Sequence, residues 1–150
     1  MNAEDLRPAL SIEIRRAQSC DSADISEPLS ELGYPSTAAQ VERRIAETTG
    51  STETAVFVAE WEGCVVGLLS FHRIPLFHAD EYLGRITSLI VSTGNRGRGI
   101  GRRLLVAAEE YGAAHGCSRI EVTSGDHRAD AHAFYERAGY RVDCRRFLKG

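Results

Sequence analysis

Arg96-Gly97-Arg98-Gly99-Ile100-Gly101 decides the reading of this chain. The six residues follow an apolar, β-branched run, Arg85-Ile86-Thr87-Ser88-Leu89-Ile90-Val91, and open a long amphipathic run that begins at Gly99. Strand, glycine-rich turn and helix in that order present unpaired backbone N–H groups to a phosphate at a helix N-terminus. The glycines allow positive φ and close approach of the backbone. The arginines add charge and donors beside that nest. The segment therefore predicts a bound phosphorylated cofactor.

Three glycine-rich loops compete for this stretch. A P-loop requires Lys and then Ser or Thr after its last glycine. Here Arg102 and Arg103 follow Gly101, which excludes it. A dinucleotide fingerprint requires G-x-G-x-x-G. Gly97 and Gly99 supply its first two glycines, Arg102 occupies the third position, and Glu121 lies at about the distance of a ribose-binding acid, so that reading stays open. The third pattern, Arg/Gln-x-x-Gly-x-Gly/Ala, is met at every fixed position by Arg96 through Gly101.

Working outward, the periodicities define the remaining elements. Residues 12–16 alternate as a strand. Asp21 or Ser22 caps a helix to about Leu32, ended by Gly33 and Pro35. Ser36 or Thr37 caps a second helix to about Thr48, with Val41 and Ile45 facing inward. Residues 55–60 and 64–71 read as strands joined by a hairpin at Glu62-Gly63. Pro75 ends the second of these, and 76–80 form a loop. A strand over 81–91 leads to the glycine loop. On the next helix, Ile100, Leu104, Ala108, Tyr111 and His115 share one face and Gly116 ends it. A short strand holds Ile120 and Val122, a helix spans about Ala129 to Ala138, and Tyr140 to Leu148 reads as a last strand. The order β-α-α-β-β-β-α-β-α-β predicts an α/β (α+β) fold, one mixed sheet with helices packed on its faces.

The 150 residues bound one domain over 1–150, with 43% hydrophobic and 26% charged residues, ordinary for a soluble globular protein. A net charge of −3 gives no reason to expect nucleic acid or an anionic membrane as partner. No apolar run reaches the length of a membrane span, and the acidic Met1 to Asp5 stretch is not a signal peptide. Cys20, Cys64, Cys117 and Cys144 are scattered, which suits reduced thiols, small buried apolar side chains and a cytoplasmic location. His72 and His78 with Asp80 are too few and too loosely spaced for a metal site, so no metal is expected.

The Arg96–Gly101 pattern resembles the acyl-CoA loop of the GNAT (Gcn5-related) N-acetyltransferase superfamily. A second segment, Ala131-His132-Ala133-Phe134-Tyr135-Glu136-Arg137-Ala138-Gly139-Tyr140, resembles the family's later helix, with its Phe-Tyr pair and Gly-aromatic exit. The resemblance is good over roughly 54–149 and loose before that. It implies a mostly antiparallel mixed sheet with a splayed, V-shaped cleft, and acetyl-CoA as cosubstrate. It implies that Arg96, Gly97, Arg98, Gly99, Ile100, Gly101 and Arg102 hold the pyrophosphate. It further implies that the backbone of Leu89, Ile90 and Val91 holds the pantetheine arm and that Phe134 lies against the cofactor. Tyr135 would protonate the leaving thiolate. Many members carry Asn three residues before the Ala131 position; this chain has Arg128, which would reach a cofactor phosphate or an anionic substrate.

Acetyl transfer also needs a neutral amine, although an alkylamine has a pKa around 10. Some members place a Glu base on the strand before the loop. The matching position here is Arg85, which cannot serve, so Glu81 is the candidate, with His72, His78, His127 and His132 behind it. The loop from Ile74 to Asp80, with Phe77 and His78, is expected to line the amine pocket; the alternative lies under the N-terminal helices around Leu32 to Tyr34. The expected function is direct acetyl transfer to a primary amine of a small molecule, with a protein or peptide amine, or non-catalytic acyl-CoA binding, as alternatives. The block His127-Arg128 with Arg146-Phe147-Leu148-Lys149 resembles subsets that include aminoalkylphosphonate acetyltransferases. A homodimer is compatible with the sequence.

Overall fold

A computed structural model of the chain describes residues 12–123 and 129–150. Nine main elements follow one another: β1 (Glu13–Arg16), α1 (Ser22–Glu31), α2 (Ala38–Thr48), β2 (Thr54–Trp61), β3 (Cys64–Pro75), β4 (Tyr82–Val91), α3 (Ile100–Ala114), β5 (Cys117–Val122) and α4 (Ala129–Arg137). The strands form one sheet in the order β1-β2-β3-β4-β5, antiparallel except for the parallel pair β4–β5. A dinucleotide-binding fold needs a parallel, doubly wound sheet. The fingerprint reading is thereby overturned, and Glu121 instead ion-pairs with Arg85, its neighbour across the β4–β5 pair.

Local chemistry accounts for the boundaries. Thr37 caps α2 in a capping box with Gln40. Asp21 precedes α1, but its carboxylate is committed elsewhere, to Arg15 and the Gln18 N–H. Glu62 and Gly63 both adopt positive φ, 52° and 78°, as a two-residue hairpin turn requires.

Two cores sandwich the sheet. On one face α3 buries Ile100, Leu104, Leu105 and Ala108 against Phe57, Leu69, Phe71 and Ile86. Full burial of each large aliphatic side chain there is worth about 1.5–3 kcal/mol. The Phe71 ring fills space that two glycines leave open: a Cβ at Gly84 would stand 2.6 Å from it, and one at Gly112 3.2 Å. On the other face α1 and α2 place Ile25, Val41 and Ile45 over Val58, Leu68 and Ile90. Gly67 lets the start of α3 approach the sheet, since a Cβ there would meet Ile90 O, Leu104 and Ile100 at 3.1–3.2 Å.

Two expectations fail. Tyr140 to Leu148 form no strand; among the described residues β5 pairs only with β4, and the tail runs with Val142, Phe147 and Leu148 exposed. Strand propensity expresses a fit to a half-buried pleated surface. Arg141, Asp143 and Arg145 alternate with Tyr140, Val142 and Cys144 as in such a strand, but among the described residues no sheet edge pairs with the run. The cysteines are also free but not buried: Cys20, Cys64 and Cys144 are exposed and Cys117 is half-buried.

Candidate functional site

The parallel pairing of β4 with β5 ends at Ile86↔Val122. Beyond it β4 continues through Val91, hydrogen-bonded only to β3, as far as Gly67↔Val91. One edge of Thr87–Val91 thus has no strand beside it among the described residues. Alternate N–H and C=O groups face the gap, and they require partners when buried. Side chains do not fill this edge: Ile90 turns into the core under α1 and α2, and Leu89 and Val91 pack on the opposite core.

The chain then turns through Thr93–Asn95 into the glycine loop and α3. Gly97 and Gly99 adopt φ of 78° and 77°, which side chains rarely tolerate. Gly99 is the N-cap of α3 and has no side chain to bond the first-turn N–H groups. The first turn contains no acidic residue either; Arg102 and Arg103 stand there. Cations at a helix N-terminus oppose the macrodipole. The arrangement is unfavourable for the helix alone and suits a bound anion. Arg96 donates through Nε to the Val91 carbonyl at 3.3 Å, and the Arg98 guanidinium lies 4.5 Å from the centre of the Trp61 ring.

Strand gap and helix start open into one cleft of about 870 Å³. Leu89, Ile90, Val91, Arg96, Gly97, Gly99, Ile100, Gly101 and Arg102 line it from one side, and Phe134 and Tyr135 of α4 from the other. Phe134 packs on α3 where it has no side chain, so that a Cβ at Gly101 would lie 3.4 Å from the ring. Tyr135 stands edge-on to Phe134 and Tyr140, at 5.2 and 5.9 Å between ring centres. Tyr140 donates to Glu109 at 3.1 Å; burial, and then the Glu109 charge, push its phenol well above the ordinary range. A tyrosine held as a neutral hydroxyl thus backs the Tyr135 ring.

Most of the residues expected at the loop meet here. Arg98 does not line the cleft; its guanidinium lies over the Trp61 ring. Arg128 and His127 lie outside the described residues. Glu81 is not brought to the cleft. It precedes the first residue of β4, at the end that pairs with Pro75 and Cys117, about 30 Å from Val91 at the rise of a strand. There it is exposed and accepts a hydrogen bond from Ser118 Oγ at 2.7 Å. The loop from Leu76 to Asp80 lies at that same far end, with Phe77 fully exposed. Leu32, by contrast, reaches the cleft from the end of α1, the alternative location for the amine pocket. Sequence reading also missed Asn95, Asp130, Ala131 and Arg137. Ala131 was within reach, since it stands one helical turn before Phe134 and Tyr135 on the same face.

A sequence profile described as the acetyltransferase (GNAT) family matches residues 21–140. The chain belongs to that family. Among relatives, it is similar to an aminoalkylphosphonate N-acetyltransferase of Salmonella typhimurium, 39% identical over 87 residues, which make up 58% of this chain and 56% of the relative. It is also similar to the uncharacterized N-acetyltransferase YhfO of Bacillus subtilis, 26% identical over 91 residues and 61% of each chain. The chain thus matches these curated relatives over little more than half of their lengths. Among solved structures, the aminoglycoside N-acetyltransferase AAC(6')-Iy in complex with CoA superposes with a TM-score of 0.84 over 97% of both chains at 14% identity. At that identity the likeness concerns the fold, which here is the mixed, mostly antiparallel GNAT sheet. Among the described residues no helix is long and apolar enough to cross a membrane, and no group of three His, Cys, Asp or Glu residues is placed to hold a metal ion.

Proposed function

We propose that this chain, working as a single domain over 1–150, transfers an acetyl group from acetyl-CoA directly to a primary amine of a small molecule. The observation that carries the reading is the continuity of two anion- and amide-binding features in one cleft. The uncapped, arginine-flanked N-terminus of α3 suits a pyrophosphate, and the edge of Thr87–Val91, which no described strand covers, suits the two amides of a pantetheine arm. Membership of the acetyltransferase family supports the chemistry. Tyr135 lines the same cleft and is the candidate to protonate the departing thiolate. The relative's name suggests amines that carry an anionic group, such as aminoalkylphosphonates, as first acceptors to try.

The test is twofold. Calorimetry with acetyl-CoA measures binding in the wild type and in Gly99→Asp, which adds bulk at positive φ and like charge against phosphate. Binding is expected in the first and lost in the second. Thiol release over a panel of aminoalkylphosphonates, amino sugars, diamines and peptides then separates catalysis from binding alone. Unchanged affinity in Gly99→Asp removes the loop from the site.

A further inference from the structure

On the face of the sheet that carries α1 and α2, Val58, Leu68 and Ile90 form an apolar patch towards the glycine-loop end. Two and four residues along β3 from Leu68, the same face presents Ser70 and His72. His72 sits in register with Thr54 on β2 and Arg85 on β4, and Arg85 with Glu121 on β5. One polar row therefore crosses four strands of the sheet.

Beside that row β4 is bulged. Ser88 pairs with Ser70 and Ile86 with Phe71, which leaves Thr87 as the extra residue. A bulge re-aims a side chain, and the Thr87 hydroxyl is turned to the row. Its Oγ1 lies 2.7 Å from Ser70 Oγ and 2.8 Å from His72 Nε2, and His72 Nδ1 lies 3.3 Å from Thr54 Oγ1. Thr87 is exposed and His72 half-buried.

Thr87 is also the first residue of β4 beyond the last β5 pair, where the strand gap begins. From a pyrophosphate at the start of α3, a pantetheine arm runs down the gap along β4. Extended, it is about as long as four extended residues, roughly 14 Å. Four residues back from Val91 is Thr87. A carbonyl at the end of such an arm would stand at the bulge, beside the polar row.

We propose that Thr87 Oγ1 meets the acceptor nitrogen and that Thr87 and His72, held by Ser70 and Thr54, are the proton path of acetyl transfer. This rests on the acetyltransferase reading above. The amine attacks as the neutral base and its nitrogen becomes strongly acidic as the C–N bond forms. Its proton passes to Thr87 Oγ1 while Thr87 gives its own to His72 Nε2. The C–S bond breaks, and the thiolate takes a proton from Tyr135. The contacts allow either direction, and the relay uses one of them: Ser70 donates to Thr87, Thr87 to Nε2, and Nδ1–H to Thr54. His72 must then be neutral at rest. Burial, and after it the Arg85 charge, hold its pKa below the ordinary value. Arg85 and its partner Glu121 are the charged groups along this row. Arg73, the next residue, turns to the opposite face and meets Glu53, Tyr82 and the His115 carbonyl.

Two measurements test the path. Nitrogen NMR of the His72 imidazole should show the Nδ1-protonated tautomer and a titration midpoint below about 6.5. In kinetics with a turned-over amine, kcat should have an acid limb at that midpoint. His72→Gln and Thr87→Val should each lower kcat by roughly 10–100-fold and flatten the limb, at unchanged acetyl-CoA Kd. Thr87→Ser, which keeps the hydroxyl, should restore most of the rate. Thr87 is exposed, so its variants fold even where His72→Gln does not. Wild-type kcat and limb in both His72→Gln and Thr87→Val overturn the path alone, as does an Nε2-protonated tautomer. A wild-type protein that binds no acetyl-CoA overturns the acetyltransferase reading and the path together.

Discussion

Tyr135 shows how one side chain joins packing to chemistry. Its ring is held by Phe134 and Tyr140, and its edge lines the cleft. Tyr135→Phe keeps the ring and removes the hydroxyl alone. Under the proposed function, kcat should fall by roughly 10–1,000-fold with acetyl-CoA affinity nearly intact. Steady-state rates beside calorimetry check this, and a wild-type kcat where chemistry limits the rate would leave Tyr135 a packing residue. At this scale the sequence was legible where a residue's position follows from helical spacing, as for Phe134 and Tyr135. It misled where position along a strand mattered. Glu81 and Arg96 are both flanking residues of β4, but they flank opposite ends of it. Arg98 stands in the loop, yet its guanidinium lies over the ring of Trp61, 37 residues earlier. Contacts of that range leave no mark on local pattern.

At the scale of elements, β3 and β4 are spaced and bent by what their side chains omit. Gly84 and Gly112 let the Phe71 ring lie between sheet and α3. Gly84→Ala places a methyl group inside that ring's volume, in a fully buried cluster. Its expected cost is about 1–3 kcal/mol, as for other overpacked cores, and chemical denaturation should show a lower midpoint at unchanged slope. The helix caps and the two-residue hairpin were readable because Thr37, Gln40, Glu62 and Gly63 act locally. The β4 bulge was not, since an extra residue is defined only by the strand that lies opposite. The C-terminal run Tyr140 to Leu148 was misread for a related reason. Alternation describes a strand's faces and says nothing about whether an edge is available to it.

For the whole molecule, Arg15 adds a charged tie between the sheet and the helical N-terminal half to their apolar packing. It donates to Glu60 of β2 at 2.7 Å and, through two nitrogens, to the buried Asp21 before α1 at 2.8 Å each. The Arg15 hydrogen bonds, aided by the Gln18 N–H, hold the Asp21 carboxyl below its usual range against the opposing effect of burial. A carboxyl with a depressed folded pKa binds its proton more readily in the unfolded chain. Its contribution is complete above the unfolded value near 3.9 and is lost as pH falls through the folded value. Thermal unfolding from pH 6 to pH 2 should show that loss in the wild type. Asp21→Asn should be less stable by about 2–3 kcal/mol at neutral pH, with a shallower decline towards acid.

The parting of β4 from β5 has a consequence for how such a site drifts over generations. What the gap offers is main chain, and every residue but proline carries the same N–H and C=O. Leu89 and Val91 are constrained by the core behind them, not by whatever lies before them. Apolar exchanges at these two positions leave the main-chain donors and acceptors of the gap in place, whereas proline would delete an N–H. A site built from peptide groups keeps its chemistry while its letters change.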